Sequence, residues 1–242
     1  MSRSLRRVEL APGYILHHRP WRDTSRILEV LTREHGRLTL FARGVRGPAA
    51  KLAPVLQPFQ LLLLSWSGRG EAPWLSGAER TSRPPLPGAC LMSAFYLNEL
   101  LLRLTTRHDP QPLLFDHYHG VLERLREGSP LEPVLRVFEK RLLMLVGYGL
   151  DLTAEAHSGA PLEPDRYYDF RPEQGLVPVA ARTAGALAGR SLLALHEERL
   201  SGPRELADAR RLLQAALGAC LEGRPLATRT VAKSMLRKAA HS

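Results

Sequence analysis

A chain of 242 residues with 44% hydrophobic content can bury one large core or two modest ones. Its formal charge of +10 and pI near 10.3 imply a polyanionic partner, nucleic acid first. Two isolated cysteines, Cys90 and Cys220, exclude a cysteine-built metal ribbon or a disulfide framework. No stretch reaches the ~20 apolar residues needed to span a bilayer, and no apolar run follows the basic start, so the expected location is the cytoplasm.

All but four of the 34 basic residues are arginines, a bias that GC-rich coding also produces, so the weight falls on net charge rather than on arginine over lysine. That charge is unevenly spread: +7 over residues 1–80, +1 over 81–150, −3 over 151–200 and +5 over 201–242.

Up to the Pro-rich run Thr81 to Gly88 the hydrophobic pattern has period two. Gly13 to His18, Arg26 to Thr32, Arg37 to Arg43, Phe59 to Trp66 and Trp74 to Glu79 read as short strands between turn signals such as His35-Gly36 and Gly68 to Gly70. Five strands in about 80 residues fit an OB-type barrel, and an SH3-like barrel fits the same count. Beyond the boundary the period becomes helical: Gly88 to Arg107, a second helix after Pro110 and Pro112, and a third after Pro130 ending near Gly147. Between Asp151 and Val179 periodicity fails, with two short strands expected at Arg166 to Phe170 and Gly175 to Val179. Helical signals return at Ser191 to Leu200, Pro203 to Leu221 and Arg224 to Ala240. The expected architecture is α+β: a five-stranded barrel over residues 1–82 and a mainly helical domain over 83–242 carrying an irregular insertion at 151–179.

The most informative segment is RLTLFAR, residues 37–43. Strand alternation sends Leu38, Leu40 and Ala42 to one side and Arg37, Thr39, Phe41 and Arg43 to the other. Arginines neutralise phosphates and an aromatic ring offers a stacking surface, which together suit unpaired bases. The following loop adds Arg46 and Lys51 between glycines, Arg19, Arg22 and Arg26 flank the first turn, and Arg69 extends the basic edge. A solvated or core-packing role for these residues is the ordinary alternative, Phe41 above all. On the third helix Arg136 and Lys140 stand four apart, giving an exposed cationic stripe able to receive an acidic peptide tail, or simply a solvated face. Asn98-Glu99, inside an apolar helix, reads as a hydrogen-bonded pair holding two domains together. Phosphate-loop, nucleophile-elbow and zinc-protease motifs are missing, and neither His17-His18 nor His117 with His119 has metal-ligand spacing. Non-enzymatic nucleic-acid binding without a cofactor or metal is therefore expected, ahead of an RNA-binding OB factor and, further behind, a nuclease.

The runs 19–46, LQPFQLLLL (56–64), FYLNELLLRL (95–104), FEKRLLMLVGYGL (138–150) and GRPLATRT (223–230) resemble, in motif and order, the RecO family of bacterial recombination mediators. The resemblance implies an N-terminal OB domain and a helical C-terminal domain. It also implies binding of single- and double-stranded DNA, annealing of complementary strands, nucleoid association, and cooperation with RecR in placing RecA on DNA coated by the single-strand-binding protein SSB. Many members carry four cysteines of a zinc-ribbon-like insertion after the GYGL-type motif. Residues 151–179 contain none, so the insertion is expected to lack zinc. In the metal-free subset the SSB C-terminal tail is thought to dock on the helical domain, and the arginine of the family's pattern matches Arg136.

Overall fold

In a computed structural model of the chain, which describes residues 6–45, 52–68, 70, 72–180 and 183–232, the period-two segments become strands that share one interior. The strands are β1 (Arg6–Trp21), β2 (Ser25–Thr32), β3 (Gly36–Ala42), β4 (Leu62–Gly68) and β5 (Trp74–Arg80). They close into a barrel in the order β1-β2-β3-β5-β4. All pairings are antiparallel except β3 with β5, which meet in parallel at Phe41 and Trp74, the order that defines an OB barrel and separates it from the SH3-like alternative. Leu28, Val30, Leu38, Leu40, Leu62 and Leu64 fill the interior.

β1 is far longer than its alternating core, Gly13 to His18, suggests. Its first half pairs with β4 and its second with β2, and bulges at Val8/Ala11 and Ile15/His17 interrupt the alternation a sequence reading depends on. Gly13 sits where the strand passes from one neighbour to the other, and a Cβ there would lie 2.8 Å from Leu64 Cδ1.

The chain divides into two compact units, residues 1–126 with 226–242, and residues 127–225. In the first unit the barrel is joined by a 3-10 turn (Gly88–Cys90), α1 (Leu91–Leu104) and α2 (Pro112–Arg126). Tyr14 of β1 is fully buried edge-on to Tyr118 of α2, with its hydroxyl 2.6 Å from His119 Nδ1. Asn98 donates to the Leu16 carbonyl at 2.8 Å and accepts from the Tyr118 hydroxyl, so α1, α2 and the barrel share one buried polar network. Its neighbour Glu99 does something else: its carboxylate accepts the backbone N–H groups of Ala227 and Thr228 at 2.8 and 2.9 Å and the Thr228 hydroxyl at 2.7 Å. It thereby caps the helical residues 227–232, satisfying donors that a helix start leaves open. Burial pushes the Glu99 pKa up, but these hydrogen bonds outweigh it and hold the group below its ordinary value. The expected pair thus has two separate jobs, both inside one compact unit.

The second unit contains α3 (Leu131–Leu145), β6 (Tyr167–Arg171), β7 (Gly175–Val179), β8 (Leu187–Ala188), α4 (Gly189–His196) and α5 (Pro203–Cys220). α3 and α4 pack on α5. The insertion is more regular than its composition suggests: the two expected strands, β6 and β7, pair as an antiparallel hairpin, and β8, beyond the insertion, adds a third strand in the order β7-β6-β8.

Candidate nucleic-acid interface

The alternation of residues 37–43 is realised: Leu38, Leu40 and Ala42 are buried in the barrel while Arg37, Thr39 and Phe41 lie outside it. The outer row then splits into two ends of different character.

At one end Arg37 is only 12% exposed and fully engaged. Its Nη1 donates to Glu29 at 3.0 Å, and Nε and Nη2 donate to the hydroxyl and carbonyl of Thr105. Glu29 also accepts from Thr39 at 2.7 Å and from Arg107 at 2.6 Å. Burial pushes the Glu29 carboxyl up, yet the hydrogen bonds from Arg107 and Thr39 and the two arginine charges hold it below its ordinary value. Two cations therefore share one carboxylate, and Arg37 fastens β3 to the end of α1 rather than extending toward solvent. Alternation gave its side of the strand, but its occupant, Glu29 of the neighbouring strand, is set by pairing register.

The other end is open. Phe41 stands between Trp21 and Trp74, with ring centroids at 6.1 and 5.1 Å, and the Arg43 guanidinium lies 3.5 Å from the Trp74 centroid. Both tryptophans are 38% exposed, and Arg43 is exposed. Register explains the meeting: Trp21 closes the β1–β2 hairpin opposite Ser25, Ile27 faces Phe41, and Phe41 faces Trp74 across the parallel β3–β5 pairing, where its N–H donates to the Pro73 carbonyl at 2.9 Å. Arg19 and Arg22 are exposed on and just after β1, and Arg26 is half-buried at the start of β2. Arg19, Arg26 and Arg43 form no ion pair among the described residues. Burial, then the charge of Arg26 and then His17, lower the pKa of His18, as a locally positive field requires. Arg46, Lys51 and Arg69 lie outside the described residues. Trp74 carries no local signal of its place here, because it belongs to β5, distant in sequence and adjacent only through barrel closure; Trp21 is visible beside the arginines, but nothing in the sequence singles it out.

The expected exposed stripe on α3 does not form. Arg136 is 8% exposed and donates from Nη2 to Glu139 at 2.8 Å, one turn along the same helix and fully buried. Lys140 is spent on Glu198 at 2.8 Å and on the carbonyls of Leu195 and His196. The reason is α3's wide buried face, which takes in Val134, Leu135, Val137 and Phe138 and carries Arg136 inward with them. Arg136 Nε and Nη1 find no hydrogen-bond partner among the described residues.

In the insertion no group of three or more His, Cys, Asp or Glu able to hold a metal occurs among the described residues. Protein purified without added zinc is expected to contain only substoichiometric zinc, and a chelator should leave its melting temperature unchanged; elemental analysis and a thermal melt check both. One tightly held zinc per chain would overturn the expectation.

An OB barrel with an exposed cationic and aromatic edge, followed by helices and a three-stranded sheet, defines an α+β protein of the OB-barrel class, and no helix among the described residues is long and apolar enough to cross a bilayer. The comparisons narrow the class. Residues 7–82 match the model of the Recombination protein O N terminal, and residues 89–230 that of the Recombination protein O C terminal. The chain is 44% identical over 229 residues to a DNA repair protein RecO of Methylococcus capsulatus, covering 94% of each chain. It is 42% identical to one of Coxiella burnetii (93% and 97% covered) and 43% identical to one of Burkholderia lata (93% and 82% covered). The chain belongs to the RecO family.

Proposed function

We propose that this chain is a DNA-repair recombination mediator that binds single-stranded DNA across the Trp21, Phe41, Trp74 and Arg43 edge of its barrel and anneals complementary strands. With RecR it helps load RecA onto SSB-coated DNA, by binding alone and without covalent chemistry. The observation that carries the reading is that edge: Phe41 in ring contact with Trp21 and with Trp74, both tryptophans 38% exposed, and an arginine over the Trp74 ring. Bases stack on such a surface with little regard to sequence, while Arg19, Arg22, Arg26 and Arg43, continued by Arg46, Lys51 and Arg69, offset phosphate charge. Annealing is opposed by repulsion between phosphate chains, so a protein that neutralises both strands leaves base pairing to supply the free energy.

For the SSB tail the helical unit offers Arg136, whose two unpartnered guanidinium nitrogens a tail carboxylate would satisfy, with Lys140 one turn away. Arg37 enters as a support for β3 and Phe41 as the middle of the aromatic row.

Annealing of SSB-coated complementary oligonucleotides, followed as a function of salt, tests the reading. Affinity should fall steeply with salt, and Arg43→Ala with Arg46→Ala should flatten the log–log slope by about 0.7–0.9 for each phosphate no longer neutralised. Unchanged affinity and slope in that double variant would remove the barrel edge from the DNA path.

A further inference from the structure

The second compact unit holds a cavity of about 690 Å³ between the insertion and α5. Most of its wall is apolar, built by residues such as Leu152, Phe170, Leu176, Leu212 and Ala216. Its only charged lining residues among those described are three carboxylates, Asp151, Glu155 and Glu173; the cation paired with one of them, Arg166, is not part of the lining. That is the reverse of the chain as a whole, which carries +10. Glu155 is 8% exposed and accepts from the Ser158 hydroxyl through Oε2 at 2.6 Å. Its Oε1 has no hydrogen-bond partner among the described residues and is held only by a long ion pair to the half-exposed Arg166, at 3.6 Å. Asp151 uses Oδ1 to cap the N–H groups of Thr153 and Ala154 and stays ionised, its pKa lowered by hydrogen bonds from Thr153. Glu173 is exposed in the β6–β7 turn, where it forms no ion pair among the described residues.

Neither DNA nor an acidic tail suits this place, because three carboxylates repel a polyanion and an apolar wall offers a phosphate nothing. We propose that the cavity is a docking site for a basic segment of a partner protein, one that seats one or two bulky apolar side chains against Leu176 and Leu212 while flanking lysines or arginines meet Asp151, Glu155 and Glu173. The volume lies within the range of pockets that enclose a few side chains. Charge decides which segment enters and apolar burial holds it. The cavity and the barrel edge share no residue, so occupation of one does not consume the groups of the other.

Selection of randomised displayed peptides on the full chain tests this, with each enriched peptide then synthesised with a fluorophore and titrated. Enriched peptides should pair lysine or arginine with a bulky apolar residue. Ala219→Trp, which fills the mouth from an exposed position on α5, and separately Glu173→Lys, which reverses a rim charge, should each weaken binding by about tenfold or more. Both should leave single-stranded DNA affinity and the melting temperature unchanged. Failure to enrich any peptide, enrichment of acidic or uncharged ones, or binding that survives both variants would overturn the proposal. A shift of oligomeric state in sedimentation with Ala219→Trp would assign the cavity to a second copy of this chain instead, and would overturn it equally.

Discussion

Trp74→Ala is expected to lower the affinity for single-stranded DNA by about 1–3 kcal/mol, the scale of one base–aromatic stack, which is roughly five- to 150-fold. Trp74 is the outermost ring of the row, touching Phe41 on one side and carrying Arg43 on the other, so its removal takes away a stacking face and the surface on which the arginine rests. Trp74→Phe should recover most of the affinity because a π face remains. Arg43→Ala in the Trp74→Ala background should then cost less than Arg43→Ala alone, since touching residues are not additive. Fluorescence anisotropy with a labelled homopolymeric oligonucleotide, at one fixed salt concentration, measures all four variants. Trp74 is a partly exposed side chain at the start of β5, so the melting temperature should move little. Wild-type affinity in Trp74→Ala would end the assignment of the aromatic row as the base-binding surface.

Arg136→Ala is expected to destabilise the second unit by about 3–5 kcal/mol, because it breaks a buried ion pair by removing the guanidinium 2.8 Å from the fully buried Glu139 carboxylate. A surface ion pair would cost about 0–1 kcal/mol. Equilibrium denaturation measures the difference. The double variant Arg136→Met with Glu139→Leu removes both charges and should recover most of the lost stability, since an apolar pair of similar volume replaces a buried ion pair at little cost. The same double variant separates structure from partner binding: a peptide ending in an acidic, carboxylate-terminated sequence should bind it at least about tenfold more weakly than wild type, the scale of one charge-assisted hydrogen bond. Wild-type peptide affinity in the refolded double variant would return Arg136 to a purely structural part.

Local pattern was enough for several features. The strands after β1, apart from a late start of β4 at Leu62 rather than Phe59, and the helices through α5 are read from periodicity of 2 and 3.6, because each depends on which side of one short segment is apolar. Of the helix expected at Arg224 to Ala240, residues 233–240 lie outside the described residues. The two short strands that become β6 and β7 were likewise legible, though not their pairing. The interior and exterior sides of Arg37 to Arg43 follow from alternation alone, and the absence of cysteine from the insertion is a fact of composition. The basic character of the first 80 residues needed only counting.

Meetings between residues distant in the chain settled the rest. Arg37 and Arg43 look equivalent on one strand, yet register brings Glu29 opposite Thr39, within reach of the first, and Trp74 opposite Phe41, beneath the second, so one is neutralised and the other presented. Trp74 joins Phe41 only because β5 closes the barrel in parallel on β3, a pairing with no local signature. Arg136 and Lys140 have the spacing of a solvated stripe, but the neighbours α3 packs against turn Arg136 inward and hold Lys140 on α4's last carbonyls. Periodicity reports which residues share a face; only tertiary packing decides what that face meets, because an ion pair's strength and a side chain's exposure depend on atoms contributed from elsewhere in the chain.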